Sequence, residues 1–376
     1  MKRYGLVLLF ATETEVDAHL IFFLLIVLCI VFFNLKTAKP GSYFEDYCAP
    51  ENTKSINAIF TLLIFLSHAK MQLDLSGPLD EPYLAFRQYV GQFVVVTFLF
   101  YSGFGIMESI RSKGRIYVLA IPKNRLFRVW YHFALAVLLF TALRLVLGDP
   151  PTFQNWLLSM VAVENMGNSS WFIFVILALY LLVFLAFFPF KKHLLAGVGL
   201  MFVLTGAFVG LEIAMGKGEY YYNTIFLFPA GMLFSFVKPA IDRLLRRSDL
   251  FWYLAFASVF AVYYYFSSNR GDSPVHHTLW CLCGMALVLL FTMKVQIQNS
   301  ILLWVGDHVF SIYMLMLLPM LILNHFGFTD HKYSYVIISF IATVMLAVFF
   351  DTITAWLDRL VFKTRKKVPA AQTTDE

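Results

Sequence analysis

An all-α fold, a polytopic bundle of membrane-spanning helices, is what this sequence predicts, and three observations predict it. The first is composition. Of 376 residues, 60% are hydrophobic and only 14% are charged, against about 25% charged in an average soluble domain. The second is patterning: apolar runs close to the ~20 residues that cross a bilayer recur along the chain. The third is the sidedness of its cations. With a mean hydropathy of +0.73, a soluble fold of this size could not hide so much apolar surface. Cytosolic enzymes, nucleic-acid-binding domains and disordered chains are thereby excluded. The net charge of +6 does not signal nucleic acid, because the basic residues sit in short loops between apolar runs.

Eleven spans are expected, at 18–35, 55–72, 89–110, 127–147, 171–190, 194–213, 223–238, 250–267, 277–293, 302–324 and 334–357. Before the first, Lys2 and Arg3 precede a short apolar run, Leu6 to Ala11. No small-residue cleavage site follows, so it reads as mature chain rather than a signal peptide. Pro40-Gly41, Gly148-Asp149-Pro150-Pro151 and Lys238-Pro239 punctuate the pattern as breakers, and Gly284 interrupts the ninth run. The segment 153–163 is apolar but too short to cross, which suits a re-entrant or interfacial piece. Cys29, Cys281 and Cys283 lie in apolar runs as small hydrophobes, and Cys48 has no evident partner. The expected organisation is an N-terminal segment with one extra helix at 1–51, a membrane domain at 52–362 and a basic, polar tail at 363–376.

Orientation follows from Lys and Arg. With eleven alternating spans, 21 of them fall on the side of the cationic loop 111–128 and 7 on the other. This bias places that loop and the C-terminus in the cytoplasm and the N-terminus outside.

Ionisable groups inside spans are costly and mark function by default. On the second span Lys54, Asn57, Thr61, His68 and Gln72 fall within about 40° of one line, a polar stripe running from the cytoplasmic end outward. A packing histidine is the plain alternative for His68. On the third, Thr97, Tyr101, Gly105 and Glu108 make a second stripe. Glu108 sits one turn from Arg111, so a local ion pair explains it. Ser102-Gly103 leaves room for another backbone. Arg125-x-x-Arg128 suits a diphosphate or a 3′-phosphate, since guanidinium binds phosphate in a two-pronged way, and Arg111, Lys113, Arg115 and Lys123 add positive field. A positive-inside loop accounts for part of that charge. Outside, Asn168, Trp171, Tyr221 and Asn223 belong to clusters of aromatics and amides. An interfacial aromatic belt is one reading, and a sugar-binding surface is the other. No metal-ligand spacing, phosphate loop, dinucleotide fingerprint or nucleophile elbow is present.

The sequence resembles the bacterial acyltransferase 3 family of integral-membrane enzymes that acylate surface glycans. Thr61-Leu-Leu-Ile-Phe-Leu-Ser-His68 is similar to that family's first core helix, which ends in its catalytic histidine. Gly91-Gln92-Phe-Val-Val-Val-Thr-Phe-Leu-Phe-Tyr-Ser-Gly-Phe104, Arg125-x-x-Arg128, Trp171-Phe172 through Tyr180, and Gly306-x-x-x-x-Ser311-Ile-Tyr313 resemble its later motifs in order and spacing, over about 52–362. Two positions depart from it. The family's arginine eleven residues before the histidine is Asn57 here, with Lys54 one turn earlier on the same face, and a histidine often found after the late tyrosine is Met316. The family core has ten spans, so 18–35 would be an addition.

The resemblance implies a multi-pass protein of the cell's inner membrane. It would carry an acyl group, acetyl by preference, from cytoplasmic acetyl-CoA to a glycan hydroxyl outside, with no metal. On that reading His68 is the base, or itself carries the acyl group as an intermediate, with Asn57 beside the path of the acyl arm and Tyr101 orienting the imidazole. Arg125, Arg128, Arg111, Lys113 and Lys54 hold the CoA phosphates, and Trp171, Asn168, Tyr221 and Asn223 hold the acceptor. The partners are the lipid bilayer, acyl-CoA and a glycan, not nucleic acid. The alternatives are a transporter or flippase using the same stripes, and a non-catalytic scaffold for glycan export.

Overall fold

A computed structural model describes residues 20–75, 80–190, 193–297 and 299–362. Residues 1–19, which include the run Leu6 to Ala11, residues 76–79, 191–192 and 298, and the tail from 363 lie outside the described residues. Almost everything described is helix. The helices are α1 (Leu20–Phe32), α2 (Pro50–Gln72), α3 (Asp80–Val90), α4 (Val96–Lys113), α5 (Arg115–Ile121), α6 (Arg128–Val146), α7 (Phe153–Met160) and α8 (Trp171–Phe187). After them come α9 (Leu194–Ala214), α10 (Leu227–Leu245), α11 (Asp249–Asn269), α12 (Pro274–Lys294), α13 (Ser300–Leu315), α14 (Leu317–His325) and α15 (Lys332–Val361). One short antiparallel ribbon pairs Lys36 with Gln296 and Thr37 with Val295.

Each of the eleven apolar runs coincides with a helix. Six helices among the described residues are long and apolar enough to cross a membrane on those grounds alone, or seven if α13 and α14 form one span. The chain is therefore an all-α, multi-pass membrane bundle, and the count of eleven rests on the charge asymmetry. α1 and α8 are apolar but shorter, and the polar stripe lowers the hydropathy of α2.

Three boundaries differ from expectation, each for a local reason. The stretch 111–128 is not a loop. α4 runs to Lys113, Gly114 turns at φ +58°, and α5 passes through a π-helical turn at Pro122–Phe127 into α6. Nor does Lys238-Pro239 end the seventh run, since α10 continues through Pro239 to Leu245. Proline lacks the N–H that would bond the carbonyl four residues back, here that of Ser235. That carbonyl instead accepts from Arg111 Nη1 at 2.7 Å. Gly284 does not interrupt α12 but makes space for the Phe93 ring, which a Cβ would meet at 2.6 Å. A real break does occur at Met316, where α13 and α14 diverge by 46°. Pro319 explains it, because its ring collides with the carbonyl of Leu315 and removes that carbonyl's donor.

Packing is tightest where glycine admits a neighbouring backbone. A Cβ on Gly103 would lie 2.0 Å from the Phe228 carbonyl oxygen, and one on Gly231 would lie 2.1 Å from that of Phe100. α4 and α10 are thus keyed together from both sides, the small-residue packing that membrane helices use when no hydrophobic drive exists between them. On the α2 side Gly306 of α13 sits against the Lys54 carbonyl. The segment before α2 is clamped by Tyr47 donating to Asp242 at 2.7 Å and Tyr43 donating to Asp249 at 2.9 Å. α7 lies with Phe153 and Leu157 exposed and is pinned by Trp130 Nε1 donating to the Met160 carbonyl, as suits an interfacial piece. All four cysteines are free. Cys281 is buried, whereas Cys29 is exposed on α1.

Candidate functional site

α2 organises the site. Lys54 at its first turns pairs with Asp307 of α13. His68 lies fourteen residues further on, about 21 Å along the helix. At the far end Gln72 Oε1 accepts from Asn324 Nδ2 at 2.6 Å. Between these ends two cavities open on one side of the helix.

The cavity at the Lys54 end has a volume of about 330 Å³ and is walled by Arg125, Ser102, Tyr180, Asp307 and Phe310 among others. The cavity at the His68 end has about 470 Å³ and is walled by His68, Ser67, Arg87, Gln88, Gln92, Trp171 and Tyr220. Three residues, Ile64, Val95 and Tyr313, line both. Tyr313 is held in place by its hydroxyl, 3.0 Å from Ser169 Oγ, and by an edge-to-face contact with Phe172 at 5.5 Å. It is a partition between the two spaces.

The expected residues divide sharply. His68 faces the outer cavity and makes no hydrogen bond among the described residues. α2 looks into that space through Ile64, Ser67, His68 and Met71, a line rotated from the expected stripe. Asn57 and Thr61 do not line either cavity. Thr61 donates back to the Asn57 carbonyl, and Asn57 Oδ1 is buried without a partner. Tyr101 does not orient His68. Its hydroxyl is buried and unpartnered among the described residues, and its ring packs on Phe100.

Of the cations, Arg125 faces the inner cavity and donates from Nε to the Tyr117 hydroxyl at 3.2 Å. Arg128 points elsewhere, 3.4 Å from Asp358 and stacked 4.3 Å over the Phe362 ring. The π turn separates them: it advances each residue by less than the ~100° of an α-helix, so three residues do not return to the same line. Arg111 is consumed by Glu108, at 2.9 Å, and by Ser235, so it braces α4 against α10. The ion pair foreseen for Glu108 is present. Lys113 lies 5.8 Å over the Tyr117 ring.

On the outer side Trp171 lines the cavity and meets Tyr220 and Tyr221 edge-on. Tyr221 stands behind it, and burial pushes its phenol up, so it stays protonated. Asn168 and Asn223 are buried in loop architecture. Asn168 Oδ1 accepts from the Met166 N–H; the Asn223 backbone carbonyl accepts from Thr278, its Nδ2 reaches Glu219 at 3.4 Å, and its Oδ1 has no partner among the described residues.

Several groups were not singled out from sequence. Arg87, Gln88 and Gln92 share the cavity with His68. On α15, Asp351 accepts from Ser311 Oγ and stands 2.5 Å from His308 Nδ1, while Asp358 joins Tyr131, His132 and Arg128. Two carboxylates seven residues apart share a helix face, and that spacing inside an apolar run was the available signal. No group of three or more metal-ligating side chains occurs among the described residues.

Comparison with known proteins adds one finding. A family model, Acyl_transf_3, described as an acyltransferase domain, matches residues 55–352. No curated protein and no solved structure matches the chain.

Proposed function

The chain belongs to the acyltransferase 3 family and is a multi-pass membrane acyltransferase, and from that premise we propose that it moves an acetyl group from cytoplasmic acetyl-CoA to a glycan hydroxyl on the outer face of the inner membrane. One observation carries this reading: two cavities approach one another from opposite ends of α2, an arginine in one and an unpartnered histidine in the other, with only Ile64, Val95 and Tyr313 common to both. The 21-to-7 division of cations puts Arg125 on the cytoplasmic side.

In this mechanism Arg125 takes a phosphate of CoA, helped by the field of Lys113 and Lys123. The pantetheine arm extends along the inner cavity and past Tyr313, so that the thioester carbonyl reaches His68. The acceptor sugar stacks on Trp171. A sugar hydroxyl is a weak nucleophile, and His68 takes its proton as the oxygen attacks the thioester carbon. The new C–O ester bond forms, the C–S bond breaks, and the proton passes from the imidazolium to the departing CoA sulfur. General-base help of this kind is worth about 10²–10⁴-fold in rate.

The test is release of free CoA thiol by the purified protein supplied with acetyl-CoA and a glycan extract. His68→Ala and His68→Gln should both reduce release at least about a hundredfold while CoA binding stays intact. Substantial release by either variant would move the chemistry away from His68. No release by the unaltered protein would return the chain to the transporter reading.

A further inference from the structure

The outer cavity has a cation that the proposed chemistry leaves unused. Arg87, seven residues into α3, lines the same 470 Å³ space as His68. It is half-buried, and among the described residues it forms no ion pair and no hydrogen bond. Three other cations of the outer side are occupied. Arg144 pairs with Asp149 at 2.6 Å, Arg270 donates to the Gln88 carbonyl at 2.9 Å, and Lys217 lies 5.1 Å over the Tyr221 ring. The rest of the wall is neutral: the polar side chains of Ser67, Gln88 and Gln92, the aromatics Trp171 and Tyr220, and no carboxylate.

A half-buried guanidinium facing an uncharged cavity wall without a counter-ion is partly desolvated, and a ligand that brings the opposite charge offsets that cost. Arginine is suited to a planar or tetrahedral oxyanion because its donors form a fixed fork. The amides of Gln88 and Gln92 can serve the hydroxyls of any sugar, but the unpaired charge of Arg87, with no carboxylate among the described lining residues, favours a sugar that carries an oxyanion. We propose that the acceptor is an anionic glycan, whose carboxylate or phosphate is gripped by Arg87 while the hydroxyl to be acylated lies at His68 and a sugar face rests on Trp171. The inference rests on the acyltransferase reading of this cavity, and it narrows the acceptor from glycans in general to those bearing an oxyanion on or next to the acylated sugar.

The experiment is an equilibrium titration of the full-length protein in detergent with three probes, methyl glucoside, methyl glucuronoside and glucose 6-phosphate. The two anions should bind at least about tenfold more tightly than the neutral sugar, the size expected for a charge-assisted hydrogen bond, and the preference should shrink as salt rises. Which anion binds better distinguishes carboxylate from phosphate. Arg87→Gln should abolish the preference, and Arg87→Lys should keep part of it. Titration of each variant with CoA serves as the folding control, since CoA meets the other cavity. Equal binding of all three probes, no binding of any, or a charge preference that survives Arg87→Gln would overturn the proposal. Release of CoA thiol is read separately, so a chain that prefers anions but releases none would sink the acyl-transfer reading alone.

Discussion

Replacing Arg111 by alanine strips the Ser235 carbonyl of the guanidinium that stands in for the amide Pro239 lacks. Ser235 is 1% exposed, so water does not freely take that place, and an unsatisfied buried carbonyl costs about 1–3 kcal/mol. The accompanying pair with Glu108 adds little, because the two side chains are 39% and 46% exposed and such pairs are worth roughly 0–1 kcal/mol. The expected loss is about 2 kcal/mol. Pro239→Ala supplies the missing N–H, so the Ser235 carbonyl can bond within its own helix. It also removes a helix-interior proline that disfavours helix by about 3 kcal/mol. In that background Arg111→Ala should cost under about 1 kcal/mol. The double-mutant cycle should therefore return a coupling of about 1–2 kcal/mol. Equilibrium unfolding in mixed micelles, followed by tryptophan fluorescence at fixed lipid and detergent, measures all four corners. An equal cost of Arg111→Ala in both backgrounds would refute the account. So would a loss of CoA binding that Pro239→Ala fails to repair, which would return Arg111 to the donor site.

The other expectations follow from single contacts. Arg125→Ala should weaken CoA binding about tenfold, with Arg125→Lys recovering only part; Arg128→Ala should lower stability through Asp358 more than it lowers CoA affinity, and titration calorimetry beside unfolding separates the two. Gly103→Ala pushes a methyl to within 2.0 Å of the Phe228 carbonyl oxygen and should destabilise by at least the ~1–3 kcal/mol of an overpacked core; wild-type stability in that variant would mean α4 and α10 are not so close. Burial pushes the Cys48 thiol up to about 12, so the reactive thiolate is scarce at pH 8. Maleimide should label Cys48 in the folded protein far more slowly than after unfolding, with the rate climbing toward pH 12, and fast labelling at pH 8 would contradict the burial.

The helices were readable because hydropathy over a window is a local property, and every expected run became helix. Their ends were not, where one residue's loss is repaired from afar. Pro239 reads as a stop, yet α10 continues through it, and the carbonyl it leaves without a donor is met by Arg111, 128 positions earlier in the chain. Pro319 sits inside an apolar run and still bends it. Within the site, His68 and Trp171 were legible as a histidine within a span and an aromatic at a span's end. Arg125 and Arg128 looked equivalent, and a π turn that no periodicity announces sends them to different partners. Arg87 is one of the seven cations of the outer side, and nothing local in the sequence tells that it shares a cavity with His68. Asn168 and Asn223 have the composition of a sugar site, yet both are buried away from the cavity, and Asn168 is spent on its own loop, a distinction that residue type does not carry.

The narrow meeting of the two cavities at Ile64, Val95 and Tyr313 also bears on the energy economy of the cell. A water-filled pore between the faces of an energised membrane would leak ions, each elementary charge falling through about 2.3 kcal/mol per 100 mV. Two cavities divided by the apolar side chains of Ile64 and Val95 and the braced ring of Tyr313 would resist such a leak. The insulation left there is only a few side chains, a span that the arm of a thioester would bridge in the mechanism proposed above. On that proposed mechanism group transfer and electrical resistance are demands on the same three residues, and any enlargement of Tyr313's surroundings that eases acyl passage should be visible first as a proton leak in sealed vesicles.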